Sequence, residues 1–170
     1  VLQGNQHIAG LQLQGLRMQQ GDVRDGNAEP MDVMIALHAC DTATDHAIHL
    51  GLQAGAQIIL CSPCCHKQLR PQLLSPHPLR SVFQHGIHAE QQAEMVTDSL
   101  RALLLQAQGY DTQVFEFVAL EHTRKNKMIL AVKRGSPLPA SARDAALAQV
   151  AELKQYFGVK SQCLETLLQD

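Results

Sequence analysis

An α/β fold, with a mostly parallel sheet that closes on an antiparallel hairpin, is predicted by three features of this 170-residue sequence. Residues 32–61 read as strand, helix, strand, the signature of a βαβ unit with parallel strands. Residues 87–108 carry the periodicity of one long amphipathic helix. Residues 112–120 and 127–133 are apolar runs joined by too short a segment for a crossover, so these two strands run antiparallel.

Residues 1–15 are rich in Gln and Gly, with the weak periodicity of a frayed helix end. Residues 16–23 alternate apolar and polar and suit a short strand ending at Gly21-Asp22. Residues 24–30 have turn chemistry: Asp-Gly, Asn and Pro. The run 32–37 is continuously apolar after Asp32, as in a strand buried on both faces. Thr42 or Thr44 can cap a helix that reaches Ala54, and Gly55 can end it in a left-handed conformation. Residues 56–61 form a second buried strand. Pro71, Pro76 and Pro78 reduce residues 67–85 to a loop or short helical pieces. In the long helix Ala93, Val96, Leu100, Leu103, Leu104 and Ala107 form the core stripe, and Gly109 stops it. After the hairpin, Pro137 and Pro139 make a linker. Ser141 is placed to cap a helix to Phe157, with Asp144 at the capping-box position. Gly158 breaks that helix. Residues 161–168 form a last one, burying Leu164, Leu167 and Leu168 on the outer face of the sheet.

Aromatic residues are only 4% and Trp is absent, so the core must be built from Leu, Ile, Val, Ala and Met. The formal charge of −2 excludes a globally basic nucleic-acid binder, though not a local basic patch. Five cysteines, with Cys64 and Cys65 adjacent, do not make a secreted disulfide framework, so a cytoplasmic location is expected. No apolar run approaches about 20 residues, so no membrane partner is expected. No signal peptide is apparent. The chain opens on Val, which points to a fragment with a natural segment upstream.

Open parallel sheets bind ligands beyond the carboxyl ends of their strands. Here those ends are 21–22, 37–41, 61–66 and 121–126, and the reactive side chains collect there. Asp22 can meet a ligand or merely serve the turn. His38, Cys40 and Asp41 can orient or deprotonate an acceptor; the plainer roles are a helix cap for Asp41 and a backbone partner for His38. Cys64, Cys65 and His66 can shape an acceptor pocket. Alternatively Cys61, Cys64, Cys65 and His66, with His38 or Cys40, offer zinc ligands. A lone Cys-x-x-Cys without a second pair argues against zinc. Glu121, His122, Arg124, Lys125 and Asn126 form the hairpin loop. Arg124, Lys125 and Lys127 would welcome phosphate, or else make a solvated turn. His85 and His88, at the start of the long helix, read as solvated.

The segments LHACDTATDHA (37–47), PCCH (63–66) and EHTRKN (121–126) resemble a family of class I S-adenosylmethionine-dependent methyltransferase domains. It includes the methyltransferase part of glutathione S-transferase C-terminal-domain-containing proteins and is similar to tRNA 2′-O-methyltransferases. The likeness covers roughly residues 10–134. It implies a Rossmann-like sheet supplying strands three to seven and lacking the first two, in a partial methyltransferase domain (1–134) with a C-terminal helical extension (135–170). It further implies cofactor contacts from Asp22, Val23, Leu37 and His38. His38, Cys40, Asp41, Cys64, Cys65 and His66 fall to the catalytic pocket, and the 121–126 loop to a substrate, RNA by the same likeness. The Gly-rich cofactor turn and the ribose-holding acid of the family are missing here. The cofactor-gripping half is therefore expected upstream of Val1, and this chain alone is expected to bind cofactor weakly or not at all. Strand 32–37 is then left with an open edge, suited to a homodimer or swapped pairing. The competing reading is a non-catalytic binding or assembly module, zinc-bearing through its Cys/His loops.

Overall fold

The computed structural model describes residues 1–73, 79–117 and 126–169. Its strands are β1 (Val33–Leu37), β2 (Ile58–Ser62), β3 (Tyr110–Glu116) and β4 (Lys127–Lys133), forming one sheet in the order β1-β2-β4-β3. β1 and β2 are parallel, with Val33 opposite Ile58 and Leu37 opposite Ser62. β4 slots between β2 and β3 and runs antiparallel to both. The sheet is therefore mixed, not mostly parallel: β1–β2 is the parallel pair among the described strands. β3 still points the same way as β1 and β2. Three strands thus deliver their carboxyl ends to one edge of the sheet.

The helices are α1 (Leu2–Gly10), α2 (Thr42–Gln53), α3 (Arg80–Phe83), α4 (Gly86–Ala107), α5 (Ala140–Phe157) and α6 (Cys163–Leu167). α2 packs on β1 and β2, α4 on β3 and β4, α5 on α4, and α6 on α2. The core they enclose centres on Ile48, Ile59, Leu100, Leu105, Ile129 and Leu164, all essentially buried. The expected stripe on α4 is there, with Leu105 buried more deeply than Leu103. Val150, Val159 and Leu164 belong to this same core. Residues 135–169 thus pack against α4 and α2, and not on the outer face of the sheet.

The expected strand at 16–23 does not form. These residues are coil, followed by a 3-10 turn at Val23–Asp25. A strand needs a neighbour to pair its backbone, and here the amide and carbonyl of Met18 bond to the Asn5 side chain instead. β1 is not buried on both faces. Met34 and Ala36 lie under α2, while Val33, Ile35 and Leu37 are 48%, 59% and 58% exposed. β1 is also outermost among the described strands. Neither Thr42 nor Thr44 caps α2; Asp41 holds the N-cap position and Thr44 donates to the Ala39 carbonyl. Pro139, not Ser141, precedes α5, because proline's fixed φ already suits entry to a helix. Gly55 and Gly109 do adopt the left-handed conformation, at φ +73° and +89°.

Gly51 sets how closely α2 approaches the sheet. A Cβ there would lie 3.1 Å from Met34 Cβ and 3.2 Å from Ile59 Cδ1. Gly51→Val is expected to destabilise the protein by about 1–3 kcal/mol through overpacking. Gly51→Ala should change little, since a helix-propensity gain of about 1 kcal/mol offsets the tight contact. Urea unfolding measures both; a Val variant as stable as the parent would remove this packing role.

Candidate active site

Two loops leave the carboxyl ends of the parallel strands, residues 38–41 after β1 and 63–66 after β2. The first is strained. His38 and Asp41 have φ of +58° and +56°, uncommon for residues with a Cβ. Such conformations cost on the order of 1–3 kcal/mol each and persist only when their surroundings hold them. Three hydrogen bonds do so here. Thr44 Oγ1 donates to the Ala39 carbonyl, Arg101 Nη2 donates to the Asp41 carbonyl at 2.9 Å, and the Gln68 amide donates to Asp41 Oδ1 at 2.9 Å. Asp41 therefore does not cap α2 with its side chain. It crosses to the turn that follows the second loop and joins the two.

The loops also meet through sulfur. Cys40, exposed, has its Sγ 3.0 Å from that of Cys64, and Cys64 Sγ lies 3.7 Å from Cys65 Sγ. The hydrogen bond with Cys64 lowers the pKa of the Cys40 thiol, helped by Cys65 and the charge of Lys67. Burial first, then the bond with Cys40, pushes the Cys64 thiol up to about 12. Cys61 stays in the core, its thiol also pushed to about 12 by burial. His66 does not join the sulfur cluster either. The zinc set suggested by the sequence is thus not assembled as one group: three thiols gather, while Cys61 and His66 belong elsewhere.

Beneath the loops lies a buried ionic network. Arg101, 1% exposed, grips both carboxylate oxygens of Asp45 at 3.0 and 2.7 Å and reaches Asp98 Oδ1 at 3.2 Å. Gln162 Nε2 donates to Asp45 Oδ1 at 2.6 Å. His66 Nδ1 lies 4.0 Å from Asp98 Oδ1, and Lys127 pairs with Glu94 at 3.1 Å. Burial raises the Asp98 carboxyl to about 6, against the opposing pull of Arg101. Of this group the sequence motifs give roles to His66 and Lys127, and Asp45 lies within the 37–47 segment without a role of its own. A signal for the three charges of α4 was present: Glu94, Asp98 and Arg101 recur at helical spacing beside the apolar stripe, so they face inward.

The remaining expected residues are scattered. Asp22 is not at a strand end; it caps the 3-10 turn and pairs with Arg24, whose guanidinium holds its carboxyl well below the usual range. Val23 and Leu37 line a groove of about 400 Å³ beside β1, with Met31, Ala39, Ala43 and Leu50. Every lining residue is apolar. That suits a flat ring such as adenine, and it offers no charged side chain to the amino-acid end of S-adenosylmethionine. His38 is exposed on the first loop. Asn126 is buried at the same sheet edge, next to Lys127. Glu121, His122, Arg124 and Lys125 lie outside the described residues. His85 and His88 are exposed, their rings edge to face at 5.7 Å.

No curated protein and no solved structure matches the chain. Residues 3–72 match the family model of a methyltransferase domain. That stretch holds β1, α2, β2 and both loops, so the match supports a methyltransferase-domain family at the place where the reactive side chains converge.

Proposed function

We propose that this chain forms the acceptor-side, carboxyl-terminal part of an S-adenosylmethionine-dependent methyltransferase whose acceptor is RNA. One observation carries the reading. Within the matched stretch, Asp41 and the Cys40–Cys64 contact bring two loops together at the carboxyl ends of adjacent parallel strands. Bound S-adenosylmethionine supplies an electrophilic methyl group. The protein's task is to hold an oxygen or nitrogen nucleophile in line with it and, where needed, to take its proton. Asp41, fixed through one oxygen by Gln68, orients the acceptor. The apolar groove beside β1 receives the adenine. Arg124 and Lys125 in the sequence supply phosphate contacts, Lys127 being engaged by Glu94. In this reading the protein works in the cytoplasm, and in the chain without its upstream half the open edge of β1 pairs with a second copy.

In its full-length context, the protein should transfer label from methyl-labelled S-adenosylmethionine to total cellular RNA. Label entering only protein or small molecules would overturn the RNA assignment, and no transfer despite cofactor binding would overturn the enzyme. Asp41→Ala should lower kcat by about 10²-fold, the cost of a misplaced reactant, while leaving cofactor affinity unchanged. Equal losses in both, or none, would remove Asp41 from the acceptor site.

A further inference from the structure

In the methyl-transfer reading the Cys40–Cys64 contact only joins the two loops, and the thiols themselves are given no chemistry. At 3.0 Å their sulfurs are about 1 Å farther apart than the disulfide bond length of about 2.05 Å. The contact joins residues 24 positions apart and follows from loops held in place. His38 and Asp41, on either side of Cys40, are in left-handed backbone, and Asp41 is bonded to the turn after Cys64 and Cys65. A zinc ion with sulfur ligands at about 2.3 Å in a tetrahedron would need the two sulfurs moved apart. A bond between Cys64 and Cys65 would have to close a small ring across their own peptide bond.

We propose that Cys40 and Cys64 form a peroxide-reactive dithiol that closes to an intramolecular disulfide, linking the loop after β1 to the loop after β2. Cys40 is the exposed member and attacks the peroxide; Cys64, more enclosed, resolves. The Cys40 thiolate takes one oxygen of a hydroperoxide, the O–O bond breaks, and the alcohol (or water, from hydrogen peroxide) leaves. Cys40 is then a sulfenic acid. Cys64 sulfur attacks that sulfur, the S–S bond forms, and the hydroxyl leaves with the Cys64 proton as water. Two electrons have passed from the two thiols to the peroxide. Lys67, whose charge acts on Cys40, favours the attacking thiolate.

The test treats the chain with stoichiometric hydrogen peroxide under non-reducing conditions. Titratable thiols in the unfolded product should fall from five to three. Cys40, Cys61, Cys64 and Cys65 share one tryptic peptide, so cleavage must be at aspartate; Asp41 and Asp45 then separate Cys40 from the others. The expected product is a Cys40–Cys64 cross-link. Cys65→Ser should retain it. Cys64→Ser should stop at a Cys40 sulfenic acid that a dimedone probe captures, and Cys40→Ser should lose no pair of thiols. A Cys64–Cys65 link, a disulfide between two chains, or thiols that do not react would each overturn the proposal. So would protein purified without chelator whose three clustered thiols are masked by a bound metal.

Discussion

Arg101→Met is expected to lower the unfolding free energy by about 3–5 kcal/mol, the cost of leaving buried charge without its partner. Arg101 is 1% exposed and touches three separate parts of the fold. Its forked donors match both oxygens of Asp45 on α2, a third nitrogen reaches Asp98 on α4, and Nη2 also serves the carbonyl of Asp41. Methionine roughly fills the side chain's space but donates nothing. Asp45, also 1% exposed, would keep the Gln162 amide as its side-chain donor among the described residues. Arg101→Lys should recover part of the loss and no more, because an ammonium cannot hold two carboxylate oxygens and a carbonyl at once. Arg101→Met combined with Asp45→Asn should cost less than the sum of the two, since the neutral amide removes the stranded charge. Equilibrium urea unfolding of the parent, the single variants and the double variant decides it. A loss below about 1 kcal/mol in Arg101→Met would mean that the network contributes no more than a surface pair.

Most of the framework that holds this network was legible in the sequence. The strand, helix, strand order at 32–61, the long helix and the antiparallel pair all rest on periodicity or on loop length, which are local. The strand at 16–23 failed because alternation alone cannot supply a partner: the chain found Asn5 for the Met18 backbone instead. Double burial of β1 failed for a related reason. An apolar run reports that a strand can be covered on both faces, not that covering elements are at hand. The loops at 38–41 and 63–66 were legible because strand ends collect ligands. Their union was not, since Asp41 to Gln68 and Cys40 to Cys64 are contacts across 27 and 24 residues that no spacing encodes. Arg101 and Asp98 were overlooked because a charge on an apolar stripe reads as an interruption until its partner, here Asp45 from another helix, is seen beside it.

Asp98→Asn should alter how stability depends on pH more than it alters the fold. Burial raises the Asp98 carboxyl from 3.8 to about 6. The folded protein therefore keeps a proton that the unfolded chain has already released across that interval. Stability contributed by this group is present below about pH 4 and is lost as pH rises through about 6. The loss is on the order of 3 kcal/mol, since each tenfold difference in proton affinity between the folded and unfolded chain is worth about 1.4 kcal/mol. The groups facing Asp98 are Arg101 and Glu94 on α4, Lys127 on β4 and His66 from the loop after β2; Arg101 and Lys127 favour its anion, and Glu94 opposes it. Asparagine keeps the shape and stays neutral throughout. Parent and variant should therefore match near pH 4, and the variant should be the more stable above about pH 6.5. Urea midpoints taken at closely spaced pH values across the acidic and neutral range measure the difference. Parallel curves would show that the attraction of Arg101 balances the cost of burying the carboxylate, and a variant that is weaker in mildly alkaline buffer would show that it exceeds that cost. The ion pair, and not the proton, would then be what Asp98 contributes beneath the two loops.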